Sequence, residues 1–155
     1  MIRATAAARR APLLKLDWKS VEVVFPPRRE PEFAEAAYRK VMEDPAAAAT
    51  PRLTAALAVA WQERLRTRPG VDLSRLRLGP VDLLHLPGEP FVEYQLFAQA
   101  RRPERFVAVA GYGEGGPGYV CTDAALLEGG YEPTESLAGP PTESVLKAAI
   151  ETLLK

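Results

Sequence analysis

The chain has few of the side chains that enzymes most often use as metal ligands. Its 155 residues include one histidine, His85, and one cysteine, Cys121. A single thiol cannot form an internal disulfide, and it is tolerated in oxidising and reducing compartments alike. The cysteine content therefore leaves the compartment undetermined, and the single histidine limits the metal sites that the chain can build by itself.

A long apolar run is also missing from the sequence, as is an excess of charge of either sign. No stretch approaches the roughly 20 apolar residues of a membrane-spanning helix, so we expect no transmembrane segment. Lysine plus arginine and aspartate plus glutamate number 20 each, and no basic patch alternates with aromatic residues. This balance gives the chain no general attraction to nucleic acid, which we therefore do not expect as a partner.

The length and composition predict one domain spanning residues 1–155, since 47% of the residues are hydrophobic and can form a core. Residues 1–14 contain early arginines and a short apolar stretch followed by Lys15. This segment does not fit a signal peptide, and we expect it to be irregular. The localisation stays unknown from the sequence.

Two helices are predicted in the first half of the chain, after a strand that begins at Leu16. Phe33, Ala37 and Val41 recur every four residues, and a second stripe begins at a helix start marked by Thr50-Pro51. The interpretation of both stripes is core packing. The residues of the second stripe are Leu53, Leu57, Trp61 and Leu65.

Strands and helices alternate in the second half. A hairpin turning at Gly79-Pro80 precedes a helix from Pro90 to about Arg101, a buried strand over 106–110 and a closing helix that begins at Thr142. This order predicts an α/β architecture, a layered sheet with helices packed on it.

A glycine-rich loop, "GYGEGG" over 111–116, has the G-x-G-x-x-G spacing of a dinucleotide-binding fingerprint. Such a fingerprint needs a helix directly after the glycines and an acidic residue about 20 positions later. Here Pro117-Gly118 and further β-forming residues follow the loop, and the later acidic residues flank Pro133. We therefore expect the glycines to permit a sharp turn and a close backbone approach, not to bind a nucleotide.

Glu89 and Tyr119 are the side chains that the topology is expected to bring together. Glu89 follows the strand ending near Leu86, and Tyr119 lies beyond the next strand. If these strands are parallel neighbours, the loops after both converge at one edge of the sheet, where α/β proteins place their sites. The alternative for Glu89 is a cap that complements the dipole of the following helix.

The segments "LHLPGEPFVEYQL" and "FVAVAGYGEGGPGYVCTDAALLEGGYEP" resemble the neutral/alkaline ceramidase family and its bacterial relatives. The resemblance extends from about residue 12 to residue 154 and is strongest over 76–133. It implies that Glu89 in "GEPF" and Tyr119 in "GYV" are ligands of an active-site zinc. Tyr112 and Gly113 of the glycine-rich loop are then candidate substrate-binding residues, Tyr112 alternatively packing on the core.

The resemblance also implies an activity, hydrolysis of an N-acyl amide by a zinc-dependent hydrolase, and hence a lipid or other N-acyl small molecule as substrate. The family uses two further histidine ligands and a catalytic serine, upstream of the part that this chain matches. His85 is more simply interpreted as a core or edge histidine, and no serine lies in a nucleophile motif. Glu89 and Tyr119 supply two ligands where a zinc site needs at least three.

The leading hypothesis is therefore the C-terminal portion of a ceramidase-like catalytic domain, inactive alone and completed by a missing N-terminal half or a partner chain. Such a portion should expose an apolar face where the remainder packs. One alternative is a stand-alone binding domain that kept the fold without the chemistry. Another is a small enzyme whose site is formed by Glu89, Glu93, Tyr112, Glu114 and Tyr119.

Overall fold

The computed structural model describes residues 15–113 and 115–155, together with residues 8, 12 and 13. The expectation for 1–14 thus lies largely outside the described residues, and Glu114 lies outside them altogether. The strands are β1 (Leu16–Val23), β2 (Val71–Leu78), β3 (Val81–Pro87), β4 (Glu89–Pro90), β5 (Phe106–Gly113) and β6 (Tyr119–Val120). The helices are α1 (Glu35–Glu43), α2 (Ala49–Thr67), α3 (Val92–Arg101), α4 (Asp123–Glu128), α5 (Tyr131–Thr134) and α6 (Thr142–Leu154), with a 3-10 turn at Pro31–Phe33.

A four-stranded sheet in the order β1-β2-β3-β5 forms the centre of the molecule. The β1–β2 and β2–β3 pairs are antiparallel, whereas β3 and β5 are parallel and connected through α3. The short strands β4 and β6 form a second, parallel pair. This mixed sheet with packed helices confirms the predicted α/β class. Because β3 and β5 are parallel, their carboxyl ends lie at the same edge of the sheet.

One face of the sheet, called here the covered face, packs against α3 and α6. The closing helix α6 buries an apolar stripe that includes Leu146, Ile150 and Leu153. Each fully buried aliphatic side chain contributes about 1.5–3 kcal/mol through removal of its surface from water. The sheet residues of this core are Val23, Val71, Leu73, Leu84, Leu86 and Val107.

A buried carboxylate also lies on the covered face. Asp82 is fully buried and accepts hydrogen bonds from Arg77 Nε at 2.7 Å and Arg105 Nε at 2.6 Å. Burial by itself raises the pKa of the Asp82 carboxyl, but the two guanidinium groups outweigh it and the net pKa is lowered. Asp82 therefore stays ionised and connects β3 to the neighbouring strand and to the chain before β5.

The opposite side of the sheet carries polar residues at one end, including Ser20, Ser74 and His85, and is apolar at the other end, which is called here the open face. Strand register puts Leu16 opposite Leu78 and Trp18 opposite Leu76, and the row continues across β3 to β5. Trp18 is 60% exposed and Phe106 is 68% exposed. The predicted strand that begins at Phe106 is therefore present, but the prediction that Phe106 itself is buried was wrong. The open face consists of Leu16, Trp18, Leu76, Leu78, Val81, Leu83, Phe106 and Ala108.

The two helical stripes predicted in the first half are only partly in the core. Phe33 and Trp61 are buried and Leu65 packs against the core, whereas Val41, Leu53 and Leu57 are exposed, so the interpretation as core was wrong for these three. No residue of α1 is buried, and Leu53 and Leu57 of α2 are each more than 60% exposed. The buried strip of α2 consists mostly of small residues, which allow close packing and which a search for large apolar residues overlooks. Its members are Ala55, Ala58, Val59 and Trp61.

Helix α3 begins later than expected. Pro90 belongs to β4, and the helix starts at Val92 after Phe91. A proline can begin a helix or end a short strand, and here the pairing of β4 with β6 determines the outcome. In the part of the chain that the structure describes, no helix combines the length and the apolar composition that crossing a membrane requires.

Candidate functional site

Glu89 and Tyr119 lie directly opposite each other. They are register partners in the parallel pair of β4 and β6. The pairing is fixed by backbone hydrogen bonds, in which Glu89 N donates to Gly118 O at 2.9 Å and Phe91 N donates to Val120 O at 3.2 Å. The expected convergence of the two loops at one edge of the sheet is therefore observed.

The glycine-rich loop allows this convergence because its backbone can pack closely against the backbones of Gly88 and Glu135. A Cβ on Gly116 would lie 2.2 Å from the backbone nitrogen of Gly88, and one on Gly118 would lie 2.4 Å from the carbonyl oxygen of Glu135. Gly118 also has φ +78°, a backbone conformation that residues other than glycine rarely adopt. These contacts confirm that the glycines serve a turn and a close approach. The chain after them enters β6, without the helix that a dinucleotide site requires.

Tyr112 adopts an unusual backbone conformation in the same loop. Its φ is +60°, which costs an L-residue about 1–2 kcal/mol, although its side chain is 77% exposed and gains little from packing. A hydrogen bond from Tyr112 N to Gly88 O at 2.5 Å holds the conformation. Backbone strain of this kind concentrates at functional sites, which supports a role for the ring at the cavity that it borders.

A cavity of about 380 Å³ lies at this edge of the sheet, and all four residues singled out from the sequence line it. Glu89, Tyr112 and Tyr119 provide polar atoms, while Gly113 provides bare backbone packed against the imidazole of His85. The remaining lining residues are Gly88, Gly115, Gly116, Gly118, Tyr131 and Glu135.

Sequence reasoning missed two side chains of this cavity, Tyr131 and Glu135. The ring of Tyr131 packs edge-to-face on Tyr119, with centroids 6.0 Å apart. Both residues lie in or just after the segment "EGGYEP", whose similarity to the ceramidase family was noted without assigning it a role. That similarity was the available signal, because nothing in the local spacing connects 131–135 to Glu89.

The Glu89 carboxylate contributes to a raised pKa of two phenols in the cavity. The pKa of Tyr112 is raised, first by the interaction of its hydroxyl with the Glu89 carboxylate and then by partial burial. The pKa of Tyr119 is raised by burial first, and then by the negative charge of Glu89. Without a cation between them, both phenols therefore stay protonated at neutral pH, and the carboxylate faces two hydroxyl groups that can donate to it.

The other candidate residues do not join this cluster. His85 lies against Gly113 but does not line the cavity, and Glu93 is exposed on α3. Glu93 is therefore a solvated charge, as its position in the first turn of the helix favours. Across residues 15–113 and 115–155, no group of three or more histidine, cysteine, aspartate or glutamate side chains could hold a metal ion.

The fit of this donor set to zinc is partial. Carboxylate and phenolate oxygens are suitable ligands, and Glu89 and Tyr119 present one of each from adjacent strands. A catalytic zinc needs about three protein ligands. The described residues therefore match part of a zinc site and do not complete one.

Comparison with known proteins identifies the fold of this chain and does not assign the chain to a family. No protein-family model matches the chain, and no curated protein matches it. The crystal structure of neutral ceramidase from Pseudomonas aeruginosa is similar over 90% of this chain and 28% of the ceramidase chain, at 18% identity and a TM-score of 0.55. A structure of a ceramidase complexed with C2 matches 55% of this chain and 14% of that chain, at 24% identity and a TM-score of 0.48.

The described chain thus has a ceramidase-like fold and spans less than a third of the length of either ceramidase chain. This confirms, at the level of fold, the resemblance noted in the sequence. At such low identity, the likeness carries no statement about activity, metal or substrate.

Proposed function

We propose that the chain is the C-terminal portion of a ceramidase-like, zinc-dependent amidohydrolase, and that it supplies two of the metal ligands. The observation that carries the proposal is the pairing of Glu89 with Tyr119 across β4 and β6, inside a cavity at the carboxyl edge of parallel strands. In the ceramidase family that this sequence resembles, a glutamate and a tyrosine at the matching positions hold the zinc.

The chain's own residues would act by positioning. Glu89 offers a carboxylate held by the β4–β6 pair, and Tyr119 offers a phenol braced by the ring of Tyr131. Tyr112 borders the same cavity with an exposed hydroxyl group that can contact a bound substrate. When bound, zinc would polarise the carbonyl of an N-acyl amide and lower the pKa of a water molecule.

The remaining ligands and the nucleophile would come from polypeptide outside the described residues, either upstream in a longer chain or from a partner chain. The apolar open face supports this arrangement, since large exposed apolar patches are characteristic of protein–protein contacts. By itself the chain would then bind zinc weakly and hydrolyse no amide.

A metal titration with a substitute ligand tests the proposal. Cobalt(II), which reports its coordination by visible absorption, is titrated into the purified chain with and without free imidazole in place of the missing histidines. We expect imidazole to strengthen metal binding to the unchanged chain. Glu89→Gln and Tyr119→Phe should each weaken binding by about tenfold or more, as loss of one ligand predicts.

Glu93→Gln is the matched control, because Glu93 is an exposed carboxylate four residues from Glu89 that does not line the cavity. Equal metal binding by the Glu89→Gln and Glu93→Gln variants would contradict the proposal. Turnover of an N-acyl amide by the purified chain alone would contradict the claim that it is inactive by itself.

A second candidate function is a binding domain without catalysis. It is favoured by the lack of any group of three or more acidic, histidine or cysteine ligands in the described part of the chain. In that case Glu89→Gln would leave metal binding and partner binding unchanged, and the same titration separates the two functions.

A further inference from the structure

The cavity of the candidate site is lined by acidic and aromatic side chains and by no basic one. Apart from glycines, its walls are the carboxylates of Glu89 and Glu135 and the rings of Tyr112, Tyr119 and Tyr131. No lysine, arginine or histidine of the described residues lines it. A cleft lined by charge of one sign concentrates ligands of the opposite sign, so this cavity suits a positively charged ligand.

Neither carboxylate of this cavity is neutralised within the part of the chain that the structure describes. The salt bridges there include neither Glu89 nor Glu135. The phenols of Tyr112 and Tyr119 are uncharged at neutral pH, since their pKa values are raised. They can donate hydrogen bonds to Glu89 without balancing its charge. The cavity therefore keeps a net negative charge.

A guanidinium group lies in the adjoining cavity, a space of about 460 Å³ between α2 and the segment 134–137. Arg64 and Trp61 line that cavity, and Glu135 lines both. The Arg64 guanidinium donates to two backbone carbonyl oxygens of the chain after α2, at 2.8 and 2.7 Å. Its hydrogen bonds go to the backbone and not to Glu135, so the carboxylate stays available to a ligand.

An organic cation fits this lining better than a metal ion does when the chain is by itself. A metal needs a set of ligands, and the described residues contain no group of three or more histidine, cysteine, aspartate or glutamate side chains that could hold one. A quaternary ammonium group needs no such set, because aromatic rings and nearby negative charge recognise it. The cavity has room for it, since its 380 Å³ far exceeds the roughly 30 Å³ of a water molecule.

The three rings offer the surface that such a cation contacts. Tyr112 is 77% exposed and Tyr131 is 66% exposed, so most of each side chain is free to meet a ligand. The rings of Tyr119 and Tyr131 stand edge-to-face at 75°, with centroids 6.0 Å apart. Rings that surround one space in different orientations are characteristic of the aromatic cages that bind quaternary ammonium ligands.

We propose that the chain by itself binds a small quaternary ammonium compound in this cavity, with Tyr112, Tyr119 and Tyr131 around the cation and Glu89 and Glu135 balancing its charge. Such a site requires neither zinc nor polypeptide outside the described residues, so it goes beyond the proposed function and is independent of it. Its occupant is a free small molecule that carries a trimethylammonium group.

Choline and its neutral carbon isostere, in which a tert-butyl group replaces trimethylammonium, make a matched pair of probes. Each is titrated into the purified chain in the presence of a metal chelator, and binding is followed by the chemical shifts of backbone amides. We expect saturable shifts with choline at residues that line the cavity. The neutral isostere should bind about tenfold more weakly or less, because it has the same shape without the charge.

Replacing an aromatic ring of the cavity should weaken choline binding. Tyr131→Leu is expected to cost about fivefold or more in affinity, because it removes one ring of the cage. Phe106→Leu is the matched control, since Phe106 is an aromatic residue of similar exposure, 68% against 66%, that does not line the cavity. Both side chains are mostly exposed, so both variants should fold, and their thermal unfolding curves verify this.

Substitutions of Tyr119 separate this site from the zinc site. Tyr119→Leu should weaken choline binding more than Tyr119→Phe does, because phenylalanine keeps the ring that the cation contacts. Both variants lose the phenol oxygen, so both should weaken cobalt binding to the same extent. Equal losses of choline binding in the two variants would contradict a contact between the cation and the Tyr119 ring.

Absence of saturable shifts up to about 10 mM choline would overturn the inference, as would equal affinity for the neutral isostere. Equal weakening by Tyr131→Leu and Phe106→Leu would also overturn it, because choline would then bind elsewhere. A peptide with trimethyl-lysine is tested alongside, and binding of the peptide without binding of choline would contradict a free small molecule as occupant. Choline binding by a chain that binds no cobalt would support this site and contradict the zinc proposal alone.

Discussion

The two faces of the central sheet have similar residues and different surroundings. Leu83 and Leu84 are neighbours in β3, yet Leu83 is 36% exposed on the open face and Leu84 is fully buried on the covered face. Strands that are apolar on both sides are typical of sheets covered on both faces. The covered face meets that expectation through α3 and α6, while the open face exposes Trp18 and Phe106.

This difference indicates where the stability of the chain originates and where its contacts are incomplete. The covered face supplies the core that keeps the described residues folded. The open face has the composition of a core without the burial, which is characteristic of a surface that another polypeptide covers. Substitutions on the two faces should therefore affect different measurements.

The largest expected effect is on the covered face. Leu84→Ala should lower the free energy of unfolding by about 2–5 kcal/mol, because it leaves a cavity where the side chain was fully buried. Leu83→Ala, the same substitution at the adjacent residue, should cost less than about 1 kcal/mol because the site is already partly hydrated. Urea unfolding of both variants checks the contrast, and equal losses would show that the open face is packed in solution.

A smaller effect is expected from the buried ion pairs. Asp82→Asn removes the charge that Arg77 and Arg105 face, while keeping the shape of the side chain. We expect a loss of about 2 kcal/mol, since hydrogen bonds to charged groups contribute about 1.5–3 kcal/mol. Equilibrium unfolding at neutral pH measures it, and a neutral or stabilising effect would show that desolvation of Asp82 offsets its pairing.

Asp82 should also make the free energy of unfolding depend on pH. The pKa of Asp82 is lowered in the folded state, so its contribution is present above the unfolded pKa of about 4 and is lost as pH falls below it. We expect the free energy of unfolding to fall more steeply below about pH 4 in the unchanged chain than in Asp82→Asn. Parallel curves for the two proteins would contradict the lowered pKa.

The smallest effect on stability is expected on the open face. Trp18→Thr combined with Phe106→Thr should change the free energy of unfolding by less than about 1 kcal/mol, because both side chains are mostly exposed and threonine suits a strand. Self-association should decrease instead, which sedimentation velocity over a range of concentrations measures. An unchanged chain that is monomeric at every concentration would show that the open face attracts no second copy.

Much of the candidate site could be predicted from local sequence. Glu89 after one strand and Tyr119 beyond the next were expected to meet, and the parallel β3–β5 pair with its β4–β6 extension brings them together. That a strand and not a helix follows the glycine-rich loop was also predictable, since Pro117 and β-forming residues come after it. Tyr131 and Glu135 were missed because their position depends on how 129–135 folds back over the sheet edge.

The helices of the first half show why burial was harder to predict. A stripe of Leu53, Leu57 and Trp61 is the ordinary sign of a core-facing surface, yet only Trp61 of these three is buried. The spacing of apolar residues reports which side chains share a helix face. It does not report whether another element lies against that face.

The sequence by itself determined the α/β class, the succession of strands and helices, and the pairing of a carboxylate with a phenol at one edge of the sheet. These follow from residue periodicity, turn-forming residues and chain direction, which act over short distances. Only the tertiary structure decided which face of the sheet is covered. It also placed Trp61 beside a cavity next to the candidate site. Burial depends on which distant segments meet, and alternation of apolar residues is the same on a covered and an uncovered face.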